Sequence, residues 1–169
     1  MSKKFRFLGF LILIFSVVFT GAASANSIAY RTHVTQYAWQ GWVTNGRVSG
    51  TTGKGLQMEA IQIDVPQNGI TYRVHVAGRG WQNWVHAAEI AGTTGQGRQM
   101  EAIQIRLTDK MASNYYIEYR VHVAGYGWLG WVSDGEVAGT TGKGLRMEAI
   151  QIRLVEKHRR KSSGQRGYF

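Results

Sequence analysis

The sequence predicts an all-β domain built from three tandem repeats of about 36 residues around a pseudo-threefold axis. A β-prism is the expected architecture, with the β-trefoil as the alternative. Three observations carry this. Segments 30–65, 72–107 and 119–154 align without a gap and are identical at 18 of 36 positions. Each copy contains runs that alternate with a period of two, such as Tyr72, Val74 and Val76 against Arg73, His75 and Ala77. Glycine is abundant, at 22, while proline occurs once, a balance that suits short strands joined by turns.

In chain order, Lys3, Lys4 and Arg6 precede an apolar run from Phe7 to Phe19, followed by the small residues Gly21, Ala22, Ala23, Ser24 and Ala25. This is the pattern of a secretory signal over residues 1–25, with cleavage expected before Asn26. The apolar run falls short of the roughly 20 residues that span a bilayer. The single all-β domain is then expected over 26–155. Each copy opens on a strand and closes on another, as in copy two, where Ile103, Ile105 and Leu107 share one face. Between them a short hairpin is expected. Copies one and three place Asn45-Gly46 and Asp134-Gly135 there, dipeptides that tolerate the left-handed backbone of tight turns. Copy two has Ala87-Ala88, so a different turn is expected in it. Four strands per copy would give about twelve. One copy alone would be marginal, whereas three can share a core and cover one another's edges.

Composition excludes several classes. Cysteine is absent, so no disulfide framework, thiolate zinc site or cysteine nucleophile is available. Most of the net charge of +10 belongs to the two ends. Residues 26–155 hold 12 basic and 9 acidic residues, whereas the tail 156–169 carries Lys157, Arg159, Arg160, Lys161 and Arg166 against Glu156. The tail is expected to be disordered and suited to anionic wall polymers. The near-neutral repeats give no electrostatic footprint for specific nucleic-acid binding.

The repeated pattern Tyr-Arg-Val-His-Val, Gly-x-Gly-Trp-x-x-Trp-Val, Gly-Thr-Thr-Gly and Met-Glu-Ala-Ile-x-Ile resembles the clostridial hydrophobic W (ChW) repeat. The third copy is most similar, through Gly127-Trp128, Trp131, Asp134-Gly135, Gly139 and Glu148-Ala149-Ile150. The first departs at Gln36 and Ala38, where the others have glycine. The resemblance implies an extracellular or surface repeat module, often in threes and without established enzymatic activity, with polysaccharide or surface proteins as ligands.

Candidate binding residues follow from the repeat. The pairs Trp39 and Trp42, Trp81 and Trp84, and Trp128 and Trp131 hold all six tryptophans. Indole faces stack on sugar rings and anchor interfaces, while core filling is the competing role. Trp39, Trp81 and Trp128 are the expected ligand-facing rings. His33, His75 and His122 recur on the strand face opposite the valines, as ligand contacts or as structural hydrogen-bonding groups; they would hold a metal only if they met near the axis, and no metal is expected. Glu59, Glu101 and Glu148 fall on the isoleucine face by alternation, as partners of Arg31, Arg73 and Arg120 or as acceptors for sugar hydroxyls. Thr51, Thr93 and Thr140 lie in Gly-Thr-Thr-Gly loops and offer hydroxyls to a ligand. Those loops lack the Gly-Lys-Ser/Thr ending and the following helix of a phosphate loop. One common carboxylate per copy does not meet the two-carboxylate requirement of a glycosidase. The expected function is a secreted or surface-associated, non-enzymatic module without cofactor that binds glycan multivalently. A protein-interaction module of an extracellular assembly is the alternative.

Overall fold

The computed structural model describes residues 27–157. The expected signal segment 1–25 and most of the basic tail lie outside the described residues. Copy one forms β1 (Ala29–Val34), β2 (Ala38–Trp39), β3 (Val43–Thr44), β4 (Ser49–Gly50) and β5 (Met58–Asp64). A 3₁₀ turn at Pro66–Asn68 leads into β6 (Ile70–Val76), β7 (Gly80–Trp81), β8 (Val85–His86), β9 (Ala91–Gly92) and β10 (Met100–Leu107). A six-residue helix, α1 (Asp109–Asn114), fills the longer second connector. Copy three supplies β11 (Tyr115–Val123), β12 (Gly127–Trp128), β13 (Val132–Ser133), β14 (Ala138–Gly139) and β15 (Met147–Glu156). The described residues thus form fifteen strands, five per copy rather than four. Among them, no helix is long and apolar enough to cross a membrane.

The strands form three five-stranded sheets, one per repeat, arranged as the sides of a β-prism with no closed barrel. Each is centred on a long antiparallel pair: β1 with β5, β6 with β10, β11 with β15. The period of two turns Tyr30, Thr32 and Val34 inward and leaves Arg31 and His33 on the outer face. The inward faces of all three sheets meet in one core of Ile, Val, Met and Tyr side chains. Copies are joined by strand exchange. The short β4 pairs with β15 of copy three, β9 with β5 of copy one, and β14 with β10 of copy two. The expected hairpin is therefore corrected. Its turn exists, but the strand beyond it crosses to the neighbouring sheet, where it covers an edge that would otherwise stay open.

The exchange requires glycine at its crossing point. Gly92 has φ +105, and a Cβ there would lie 2.3 Å from the Glu59 carbonyl oxygen. Gly50 and Gly139 make the same approach to Glu148 and Glu101. The tyrosine that opens each repeat fixes the junction from inside. Tyr30, Tyr72 and Tyr119 are fully buried. Their hydroxyls donate to the backbone carbonyls of Arg47, Glu89 and Glu136. They accept from the amides of Ile152, Ile63 and Ile105 in the preceding copy, at 3.0, 3.0 and 3.1 Å. Burial pushes the phenol pKa of Tyr30 and Tyr119 up to about 12 and that of Tyr72 further up.

The turn expected to differ in copy two does not. The Ala87-Ala88 turn closes as the others do, with Ala88 at φ 60 and its amide donating to the Ile63 carbonyl at 2.8 Å. Asn68 from the connector supplies a side-chain acceptor, taking the Ala87 amide at 3.1 Å. The first turn of copy one likewise follows the others, with Gln36 at φ 70 and Ala38 at φ 56 where its counterparts use glycine. At the C-terminal boundary, β15 continues through Glu156, which pairs with Tyr115. The Lys157 amide donates to the Asn114 carbonyl at 2.8 Å. Residues 156 and 157 therefore belong to the folded domain, the first paired with the start of β11 and the second bonded to the end of α1.

Candidate functional site

The outer face of each sheet carries the same constellation. Arg31 and Gln62 stand opposite each other on β1 and β5, and Arg31 Nε donates to Gln62 Oε1 at 2.8 Å. The equivalent Arg73–Gln104 and Arg120–Gln151 bonds have the same length. Each glutamine also donates to a turn of the next copy, as Gln151 does to the Gly46 carbonyl at 2.7 Å. The arginine is thereby held in place under the aromatic pair.

The Trp39–Trp42 spacing of three spans the bend between β2 and β3, which brings both rings to the one arginine. The Arg31 guanidinium carbon lies 4.9 Å from each ring centroid. Arg73 stands 4.9 and 4.8 Å from Trp81 and Trp84, and Arg120 stands 4.9 and 4.8 Å from Trp128 and Trp131. These are cation–π distances. All six rings sit on the outer faces, half-buried or exposed, so tryptophan does not fill the core. The ring most open to solvent is Trp42, at 45%. Trp39, Trp81 and Trp128 lie edge-on against His33, His75 and His122, with centroids 5.5 Å apart.

Beneath the histidines, the register slips by one residue. His33 pairs with Ala60 and Val34 with Met58, so Glu59 is the extra residue of a β-bulge. Glu101 and Glu148 occupy the same position in the other copies. A bulge re-aims its extra side chain, which corrects the isoleucine-face expectation: the carboxylate meets the outward histidine. His33 Nδ1 lies 3.1 Å from Glu59 Oε2, and the other two pairs are at 3.0 Å. The expected pairing of Arg31, Arg73 and Arg120 with these glutamates is corrected too, since those arginines bond glutamines. Copy three instead adds Arg146 to Glu148 at 2.8 Å.

The glutamates are 4% exposed and already engaged. Glu59 Oε1 also accepts from Thr35 at 3.0 Å and Gln57 at 3.1 Å. They organise the face rather than present a carboxylate to a ligand. Thr51, Thr93 and Thr140 are corrected in the same way. Their amides donate at 2.8 Å to the carbonyls of Glu148, Glu59 and Glu101, and their hydroxyl oxygens are enclosed. The second threonine of each loop, Thr52, Thr94 or Thr141, faces solvent. Each histidine stands on a different sheet. Among the described residues, no three His, Asp or Glu side chains converge on a metal position.

The alternating pattern missed one position of consequence. Asp64, Arg106 and Arg153 are equivalent residues, two beyond the glutamine on the same outer face. Arg106 lies 4.3 Å from Trp84 and Arg153 lies 4.2 Å from Trp131. The signal was the period of two applied one step past Gln62, Gln104 and Gln151.

Three aromatic faces on three exchanged sheets define a repeat surface-binding module. The clostridial hydrophobic W family model matches residues 33–66, 75–109 and 122–156, which is more than half of the chain, and the protein belongs to that family. The family is one of repeat binding modules rather than enzymes. No curated protein and no solved structure matches the chain.

Proposed function

We propose that the protein is an exported or surface-associated, non-enzymatic module that binds extracellular glycan through its three tryptophan faces. The observation that carries this is the placement of all six indoles on the outside of a core built from other residues. Half-exposed indoles held at a fixed angle by arginine and histidine are costly to leave in water and are suited to stacking on the apolar face of a sugar ring. Exposed hydroxyls of Thr52, Thr94 and Thr141 supply polar contacts. Repetition supplies the mechanism: weak single-site binding becomes strong avidity on a polymer that repeats its epitope.

A protein partner in a surface assembly is the second reading, favoured by one observation. Val48, Ile90 and Val137 form a repeated set of exposed aliphatic side chains just before each exchanged strand, and sugars have little use for such groups. A glycan array probed with the protein tests the first reading. Expected is retention that resists moderate salt and disappears when one tryptophan in each copy is changed to alanine. No retained glycan, together with saturable binding of a purified surface protein lost on changing Val48, Ile90 and Val137 to Asp, would favour the second.

A further inference from the structure

The three faces are not equivalent. We infer that Trp42, with Asp64 beside it, is the principal sugar-stacking platform, and that Arg106 and Arg153 partly cover the corresponding platforms of copies two and three, which remain as weaker sites of the same multivalent surface. The inference rests on the glycan reading above and specifies where it operates.

The second tryptophan of copies two and three carries two guanidinium groups. Trp84 has Arg73 at 4.8 Å and Arg106 at 4.3 Å, and Trp131 has Arg120 at 4.8 Å and Arg153 at 4.2 Å. Arg153 is tied down further, with a nitrogen 2.6 Å from Glu118 on the paired strand. Trp42 has only Arg31 over it among the described residues, at 4.9 Å. The position that supplies the second arginine is Asp64, and its strand partner is the small Ala29 in place of Thr71 or Glu118. An aspartate is too short to cover the ring. Its exposure agrees: Trp42 is 45% open, whereas Trp84 and Trp131 are half-buried.

The second guanidinium on Trp84 and Trp131 takes ring surface that a sugar would use. Displacing it forfeits the cation–π contact and, in copy three, an ion pair. Copy one carries neither cost. A shallow cleft of about 210 Å³, lined by Ser27, Ala29, Asp64, Val65 and Pro66, shares Asp64 with the platform. Ala29, Val65 and Pro66 give the cleft apolar surface, and Ser27 and Asp64 give it polar groups. The carboxylate accepts hydrogen bonds from a vicinal pair of sugar hydroxyls and repels anionic sugars. The expected ligand is therefore a neutral pyranoside.

The test uses the full domain on an array of neutral and acidic oligosaccharides, with thermal melts to confirm that each variant is folded. Expected is a loss of about tenfold or more in affinity for Trp42→Ala, as for an interface anchor, and a similar loss for Asp64→Arg, a surface change. Trp84→Ala and Trp131→Ala are expected to change affinity less than about twofold, since their rings are already partly covered. The double change Arg106→Asp and Arg153→Asp is expected to bring the two weaker platforms up toward the strength of the first and so raise avidity for a polymeric glycan. Equal dependence on all three tryptophans, selection of acidic glycans, or indifference to Asp64→Arg would overturn the inference while leaving glycan binding intact. No glycan retained by the unchanged protein would overturn the functional proposal and this inference with it.

Discussion

Replacing Tyr30 by phenylalanine tests whether the junction tyrosines close the ring of repeats. The substitution keeps the buried ring and removes one oxygen that serves two backbone groups. The Ile152 amide loses its acceptor at 3.0 Å, and the Arg47 carbonyl loses its donor. Leaving a buried group unpaired costs about 1–3 kcal/mol. Domains of this kind have only about 5–15 kcal/mol to lose. Equilibrium urea unfolding at pH 7 should therefore show Tyr30→Phe destabilised by about 1–3 kcal/mol with an unchanged denaturant slope. The pH dependence gives a second readout. With the Tyr30 and Tyr119 phenols raised to about 12 against an ordinary 10, the folded chain keeps protons that the unfolded chain releases between those values. Stability contributed by each tyrosine is complete below pH 10 and falls by about 1.4 kcal/mol per pH unit above it. Tyr72 acts in the same direction. The informative quantity is the difference between the unchanged protein and the triple Phe variant. A Tyr30→Phe penalty below about 0.5 kcal/mol, or parallel alkaline profiles for the two proteins, would refute the reasoning.

Three further outcomes follow from the backbone. Gln36→Gly, Ala38→Gly and Ala88→Gly relieve left-handed strain of about 1–2 kcal/mol per site, partly offset by the freedom glycine gains on unfolding. Each should raise stability by about 0.5–1 kcal/mol in urea titrations. Gly92→Ala places a Cβ 2.3 Å from the Glu59 carbonyl oxygen at φ +105, and should cost more than about 2 kcal/mol. Calorimetry that finds Gly92→Ala neutral would mean that β9 can leave its seat on β5 without consequence. Asn68→Ala should destabilise the domain by about 1 kcal/mol in the same urea titrations, because the Ala87 amide loses the side-chain acceptor that stands in for the Ile28 and Ile117 carbonyls, which the Asn45 and Asp134 amides use.

What was legible in the sequence was what depends on local period. The alternation in Tyr72, Val74 and Val76 yields strands, and the 36-residue repeat yields threefold architecture. The Asn45-Gly46 dipeptide reports a turn correctly but is silent about partners. Whether Ser49 and Gly50 return to β3 or cross to β15 depends on residues about a hundred positions away. The glutamate face was misread because one bulged residue reverses the alternation, and nothing at Met58-Glu59-Ala60 marks where the extra residue falls. The arginine partners were misread because the same bulge sends the carboxylate to histidine and leaves Gln62 to Arg31. The tryptophans were ambiguous for a different reason. Indole suits both core and surface, and the choice is made by tyrosine, whose hydroxyl alone can pair with two backbone groups inside the junction.

The exchange also decides how the domain fails. Each junction combines a strand pair, the tyrosine bridge, the threonine amide bonded to the bulge carbonyl, and the glutamine bonded to the next turn. Removing copy three would break two junctions at once. β4 would lose its host β15, β10 would lose β14, and the core would open along one side of the prism. Two open sheet edges and an uncovered core face leave too little buried apolar surface to offset the entropy of ordering the chain. A fragment ending at Leu107 is therefore expected to lack a near-ultraviolet dichroism signal and a cooperative melt as a monomer in sedimentation. The complete domain should unfold in one transition rather than copy by copy, unlike an open solenoid whose repeats contact only sequence neighbours. A monomeric two-copy fragment that melts cooperatively would show that one junction suffices, and would make closure of the ring a feature of function rather than of folding.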